Sequence, residues 1–166
     1  ATGINMKFVS MAATLVVTLG ASVLIAGQLN LLAGTTPQNL GVINGRLRPP
    51  SLTPNSVSSQ AALYPAHPQR MYADIAPLNY TGDGEVAMNQ LALLLKSSAR
   101  TTVITQGPGY IYAQSTTAVL QFTDDLEFWL DSQNGVIQMR SASRLGRKDF
   151  GTNRARIEAI RARFST

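Results

Sequence analysis

The residues of this 166-residue chain that could do chemistry are few. Asp124, Asp125 and Glu127 form an acidic block in FTDDLEFWLD, and His67 is the sole histidine. Neighbouring carboxylates could act as general acid and base, flank a sugar or hold a cation. An imidazole titrates near neutrality and could join them. A cell-envelope enzyme using Asp124, Asp125 or Glu127 with His67 is therefore one candidate. Against it, His67 sits between Ala66 and Pro68 in a loop-like stretch, without Cys or Glu at metal-ligand spacing. Ser58 and Ser59 lack a nucleophile-elbow pattern. Cysteine is absent, which removes disulfides, thiolate metal sites and thiol nucleophiles. No recognisable catalytic motif remains, and no cofactor or metal is expected.

Basic side chains are the other candidates. The formal net charge of +5 is concentrated at the end of the chain: residues 144–166 carry seven basic and two acidic groups, whereas residues 101–143 carry one basic and four acidic. Nucleic-acid readers interleave aromatics or glycine loops with their cations. Only Phe150 and Phe164 stand in this tail, so nucleic acid is disfavoured. Glu158 lies one helical turn from Arg154 and Arg161 and can engage both. Arg147, Lys148, Arg156 and Arg163 have no obvious local partner and are the candidates for an external acidic contact, a protein patch or anionic lipid.

The element that must position the acids is a hairpin over residues 122–143. Asn134-Gly135 between two alternating runs is a strong two-residue turn signal. With that loop Leu130 faces Met139, Trp129 faces Arg140, and Asp125 faces Arg144. Leu126, Phe128, Leu130, Ile137 and Met139 then share one face; Asp125, Glu127, Trp129, Asp131, Gln138, Arg140 and Arg144 share the other. A four-residue loop shifts the pairing and keeps the faces. Asp125, Glu127, Arg140 and Arg144 thus form structural charge pairs, each about 0.2–1 kcal/mol, which weakens the case for free catalytic carboxylates.

Other elements follow from similar patterns. Asp83 can cap a helix over residues 84–98 that buries Met88, Leu91 and Leu94 or Leu95. Thr101–Gln106 and Tyr110–Thr116 read as strands joined across Gly107-Pro108-Gly109. Tyr110, Tyr112 and Gln114 share one face of the second, where the tyrosines would cover a core edge or stack on a ligand ring. Thr152 can cap a last helix over residues 153–165 with Ile157, Ile160 and Phe164 buried.

Ahead of these elements, Phe8 to Ala33 carries no charge for 26 residues. As a helix rising about 1.5 Å per residue it can cross a hydrocarbon core about 30 Å thick. Without a good small-x-small cleavage pair at its end, it reads as a retained span rather than a cleaved signal peptide. Lys7 before it places the N-terminus in the cytoplasm or stroma and the rest in the periplasm or a thylakoid lumen. Thr14, Thr18 and Ser22 form a small-residue face able to meet another membrane helix. Six prolines from Pro37 to Pro68 exclude a long helix or central strand. The organisation expected is an anchor at 1–34, with membrane contact through residues 8–33. An extended Pro-rich connector follows at 35–70, and an α+β soluble domain at 71–166 holds an antiparallel sheet packed by the two helices.

The stretch FTDDLEFWLD…GVIQMRSASRLGRKDFGTNRARIEAIRARF, with LGVINGRLRPPSLTPNSVSSQA from Leu40 to Ala61, closely resembles the domain-of-unknown-function family numbered 1499 over about residues 40–166. Pro50 and Ser56 stand where that family's pattern usually carries cysteines, so a thiol or disulfide role there is absent. The resemblance implies an exported or membrane-tethered protein with relatives in bacteria, photosynthetic ones included, and in plastids. It implies no activity. The expectation is a membrane-anchored, non-enzymatic accessory subunit or assembly factor of a larger membrane complex, with photosynthetic complexes among the candidates. An envelope enzyme and an anionic-lipid-binding module are the alternatives.

Overall fold

The computed structural model describes residues 6–164. The ends of the anchor at 1–5 and of the expected domain and last helix at 165–166 lie outside the described residues. An apolar helix, α1 (Met6–Gln28), precedes an α+β domain. The helix is long and apolar enough to cross a membrane, with a mean hydropathy of 2.2 over a window that packs against nothing. It stops earlier than the uncharged run. Asn30 takes a φ of 58°, and the amides of Asn30 and Leu31 turn back to the carbonyls of Gly27 and Ala26. This closure satisfies carbonyls that a helix end otherwise leaves bare. Thr14, Thr18 and Ser22 spend their hydroxyls on the carbonyl four residues back.

The domain is one antiparallel sheet with two helices on one face. Its strands are β1 (Ser56–Ser58), β2 (Leu78–Asn79), β3 (Thr101–Gly107), β4 (Tyr110–Thr116), β5 (Thr123–Asp131) and β6 (Val136–Ser143). They run in the order β1-β6-β5-β4-β3, and β2 shares the outer edge of β6 with β1. A four-residue turn, α2 (Arg70–Ala73), precedes β2. The long helices are α3 (Gly84–Lys96) and α4 (Thr152–Arg163). Asp83 caps α3 as its type predicts, accepting from the Val86 amide at 2.9 Å. Between helices and sheet, Met88, Leu91 and Leu95 meet Ile111, Leu126, Phe128, Ile137 and Met139, closed at the far end by Ile157 and Ile160. Burying each of the larger of these side chains contributes about 1.5–3 kcal/mol.

The hairpin pairing differs from the two-residue-loop reading. The β5–β6 loop has four residues, because Asp131 pairs with Val136. Glu127 therefore faces Arg140, Trp129 faces Gln138, Leu130 faces Ile137, and Asp125 faces Ala142. A two-residue type I′ turn needs positive φ at both Asn134 and Gly135; only Gly135 has it, at 65°. Asp131 draws Asn134 out of that role by accepting from its amide and side chain. The faces survive because an even loop preserves the alternation.

The stretch read as a Pro-rich connector is an ordered wrap pinned onto the domain, and part of it enters the sheet. Ser56–Ser58 pairs antiparallel with β6, and Leu47, Val57 and Ala61 are buried. Its prolines keep this strand short and at the sheet edge, where a missing N–H is tolerated. Residues 39–49 cross the face of the sheet opposite the helices as a strap: the Gly41 amide donates to Glu127, and the Pro49 carbonyl accepts from Arg140.

Candidate functional site

The hydrophobic alternation of β5 puts Asp125 and Glu127 on the face away from the helices, where the strap closes over them. The charge pairs expected between the strands are buried. Glu127 is fully buried and faces Arg140 at 3.7 Å; Asp125 meets Arg144 at 2.7 Å. The tyrosines of β4 complete the layer. Tyr112 donates to Asp125 at 2.6 Å and Tyr110 to Glu127 at 2.9 Å. Burial, together with the neighbouring carboxylates, pushes both phenols above their ordinary value. Their role is to satisfy buried acids rather than to stack on a ligand.

Asp124, on the helix side, is taken up by Arg156 at 2.6 Å. Arg156 is thus a correction: the paired partner lies 32 residues away, beyond what spacing on one helix reveals. His67 accepts from the Gln69 amide through Nδ1, and none of its hydrogen bonds reaches a carboxylate. The structure does not bring His67 together with Asp124, Asp125 or Glu127 in any hydrogen bond or ion pair among the described residues. Among those residues, no group of three or more His, Asp or Glu side chains is placed to hold a metal ion.

Other arginines of α4 are also engaged. Arg161 bonds Glu158 at 2.9 Å and the carbonyls of Ala76 and Pro77. Arg154 turns from Glu158 to the carbonyls of Tyr72 and Asp74. Arg163 reaches the hydroxyls of Ser97 and Ser98 at the end of α3. Arg147 and Lys148 remain exposed, and among the described residues their side chains make no hydrogen bond or ion pair.

The loop that carries these two cations is braced from below. Asp149 is buried and accepts from Tyr72, from the amides of Gly151 and Asn153, and from the Asn153 side chain. Burial alone would raise its pKa, but those hydrogen bonds outweigh it and hold the carboxyl below its ordinary value. Asn153 is fully buried and also donates to Asn55 and Ser143 while accepting from Ser141. Helix α4 is consequently entered through Gly151 at a φ of 81°, and Thr152 is its first residue rather than its cap. This bracing turns Phe150 outward at a φ of 51°, leaving it 93% exposed. The Asp149 and Asn153 roles escaped the sequence; a carboxylate three residues ahead of a helix was the available signal.

Leu145, Lys148 and Phe150 line one groove with Phe122 and Thr117. That groove adjoins the end of α1. Gln28 donates to the Val119 carbonyl and accepts from Gln121, and Gly27 lies against the Leu120 backbone. An apolar N-terminal helix is thus seated beside a basic, aromatic loop on an α+β domain with a buried polar layer. The family model described as "Protein of unknown function (DUF1499)" matches residues 46–164, and the chain belongs to that family. Comparison with curated proteins and with solved structures gives no match.

Proposed function

We propose that the protein is a membrane-anchored, non-enzymatic accessory subunit or assembly factor that docks on a larger membrane complex through the loop around Arg147, Lys148 and Phe150. Phe150 carries the proposal. An extruded phenylalanine forgoes about 1.5–3 kcal/mol of burial, and positive φ at a bulky residue costs on the order of 1–3 kcal/mol more. A buried carboxylate, Asp149, is spent on holding that conformation. Beside it, Arg147 and Lys148 have no partner among the described residues. An aromatic anchor flanked by unpaired cations suits an acidic, partly apolar protein surface.

The bare α1 helix supports the anchor, and its contact with residues 119–121 keeps the docking loop near the membrane. Lys7 in its first turn favours a periplasmic or lumenal domain, and photosynthetic membranes are the first place to search. Enzymatic use of Asp124, Asp125 or Glu127 is disfavoured because each of these buried carboxylates is paired with an arginine.

The test is purification of the full chain from native membranes in mild detergent. Wild type is expected to co-elute with a membrane complex, and Phe150→Ser with Arg147→Gln and Lys148→Gln to release it without loss of membrane attachment. A wild-type protein that runs alone would overturn the proposal. Salt-sensitive binding to anionic vesicles, lost in the same variant, would replace the protein partner with lipid.

A further inference from the structure

The strap that covers the polar face also builds a cavity of about 520 Å³, walled by Asn39, Arg46, Arg48, Pro49 and Tyr64. Its frame is a tight turn. Asn44 and Gly45 have φ values of 52° and 70°, and Ile43 and Arg46 exchange two backbone hydrogen bonds across them. Buried Gln60 holds the turn from beneath, donating to the Gly45 carbonyl at 3.0 Å and accepting from the Leu47 amide at 2.8 Å. Leu47 is buried, while Arg46 and Arg48 on either side of it both line the cavity. The Arg46 guanidinium lies 5.8 Å from the centre of the Tyr64 ring, whose hydroxyl is tied to the Leu47 carbonyl.

The charges here do not balance. Among the described residues, the side chains of Arg46 and Arg48 have neither a hydrogen-bond acceptor nor a carboxylate partner. Behind the wall Arg140 is 3% exposed, yet among the described residues its side chain makes one hydrogen bond, to the Pro49 carbonyl at 3.3 Å. A guanidinium carries five N–H donors, so most of a buried set is unspent. Its ion-pair partner Glu127 stands off at 3.7 Å, and among the described residues the Glu127 Oε2 has no hydrogen-bond partner. Burial, opposed by Glu127 and reinforced by Arg48, brings Arg140 down to about 10. Asp125 nearby is answered by Arg144, so among the described residues Arg46, Arg48 and Arg140 against Glu127 leave an excess of two positive charges.

We propose that this cavity binds a phosphate group, free or as a monoester, clamped by Arg46 and Arg48 with Arg140 as the positive wall behind them. A phosphate monoester carries about −1.5 to −2 at neutral pH, which matches the excess; a carboxylate would leave half of it unanswered. Guanidinium forks fit phosphate oxygens in pairs. The Asn39 amide adds polar capacity, and the Tyr64 ring offers a face to the ester substituent.

The site is tested by calorimetric titration of the full chain in detergent with inorganic phosphate, phenyl phosphate and acetate. Titration with short-chain phosphatidic acid and phosphatidylcholine in the same detergent forms a separate arm. Saturable binding of a phosphate probe is expected, at least about tenfold weaker in Arg46→Gln and Arg48→Gln and unchanged in Arg100→Gln, at an exposed arginine outside both the cavity and the docking loop. Arg46 is exposed and its side chain makes no hydrogen bond among the described residues, so R46Q remains informative even if R48Q folds poorly. Binding of phenyl phosphate without phosphatidic acid binding identifies a soluble ligand. Binding confined to phosphatidic acid identifies a headgroup, and both support the site. No saturable phosphate binding in either arm, acetate bound as tightly as phosphate, or an equal loss in R100Q would overturn it. The outcome is independent of whether Phe150 docks on a partner.

Discussion

Arg144 grips Asp125 with two nitrogens, Nη2 at 2.7 Å from Oδ1 and Nε at 2.9 Å from Oδ2. It also donates to the Tyr112 hydroxyl at 3.1 Å, while Tyr112 donates to the same carboxylate. Both charged side chains are almost wholly buried. Removing one partner from such a pair strands the other charge, at a cost of about 3–5 kcal/mol. Arg144→Met is therefore expected to lower stability strongly in denaturant titration, and Asp125→Asn combined with it to recover much of the loss. A double variant as unstable as the sum of the singles would show that the pair is not coupled.

Acid should act through Asp149 and Asp131. Burial raises both carboxyls, but hydrogen bonds to Asp149 from Tyr72 and Asn153, and to Asp131 from Gln138 and Asn134, outweigh it and hold them below the ordinary value. A depressed folded-state pKa stabilises above the unfolded value of about 3.9 and loses that contribution as pH falls through the folded one. Thermal melts between neutral pH and pH 2 should therefore show a steep acid limb that is shallower in Asp149→Asn. An unchanged limb in that variant would remove Asp149 from the account.

Alkali should act with the opposite sign. Tyr110, Tyr112 and Tyr72 are raised, chiefly by burial and then by neighbouring carboxylates. Their contribution is complete below the unfolded tyrosine value of about 10 and is lost above it, because the unfolded chain ionises first. Unfolding above that pH should be accompanied by phenolate absorbance, and Tyr110→Phe should flatten the decline. Phenolate appearing well before unfolding would contradict the buried arrangement.

These groups show where the sequence was readable. Alternation placed Leu126 and Phe128 on one face and Asp125 and Glu127 on the other, and Asp83 announced α3 through local geometry alone. Asn-Gly occurs twice and misled once. Asn134-Gly135 yields to the Asp131 hydrogen bonds, whereas Asn44-Gly45, in a stretch dominated by prolines, adopts the tight turn with both residues at positive φ. The Asp124–Arg156 pair and the strap over Glu127 join residues 32 and 86 positions apart, so no window along the chain contains them. Strand alternation alone cannot say what crosses above the polar face.

The seat of α1 on the domain has a sharp steric test. A Cβ on Gly27 would lie 2.8 Å from the Leu120 carbonyl oxygen and 2.9 Å from its Cα, both backbone atoms that cannot swing aside. Gly20, in the same helix, has nothing within 4 Å of such an atom. Gly27→Ala should force α1 off residues 119–121, break the Gln28 bonds to Val119 and Gln121, and cost about 1–3 kcal/mol. Gly20→Ala should be neutral or slightly stabilising, since alanine favours a helix by about 1 kcal/mol over glycine. Spin labels at Val23 and Val119 would report the difference as a longer, broader distance in G27A alone. Identical distances in both variants would mean that α1 does not rest on this loop and does not hold Phe150 near the membrane.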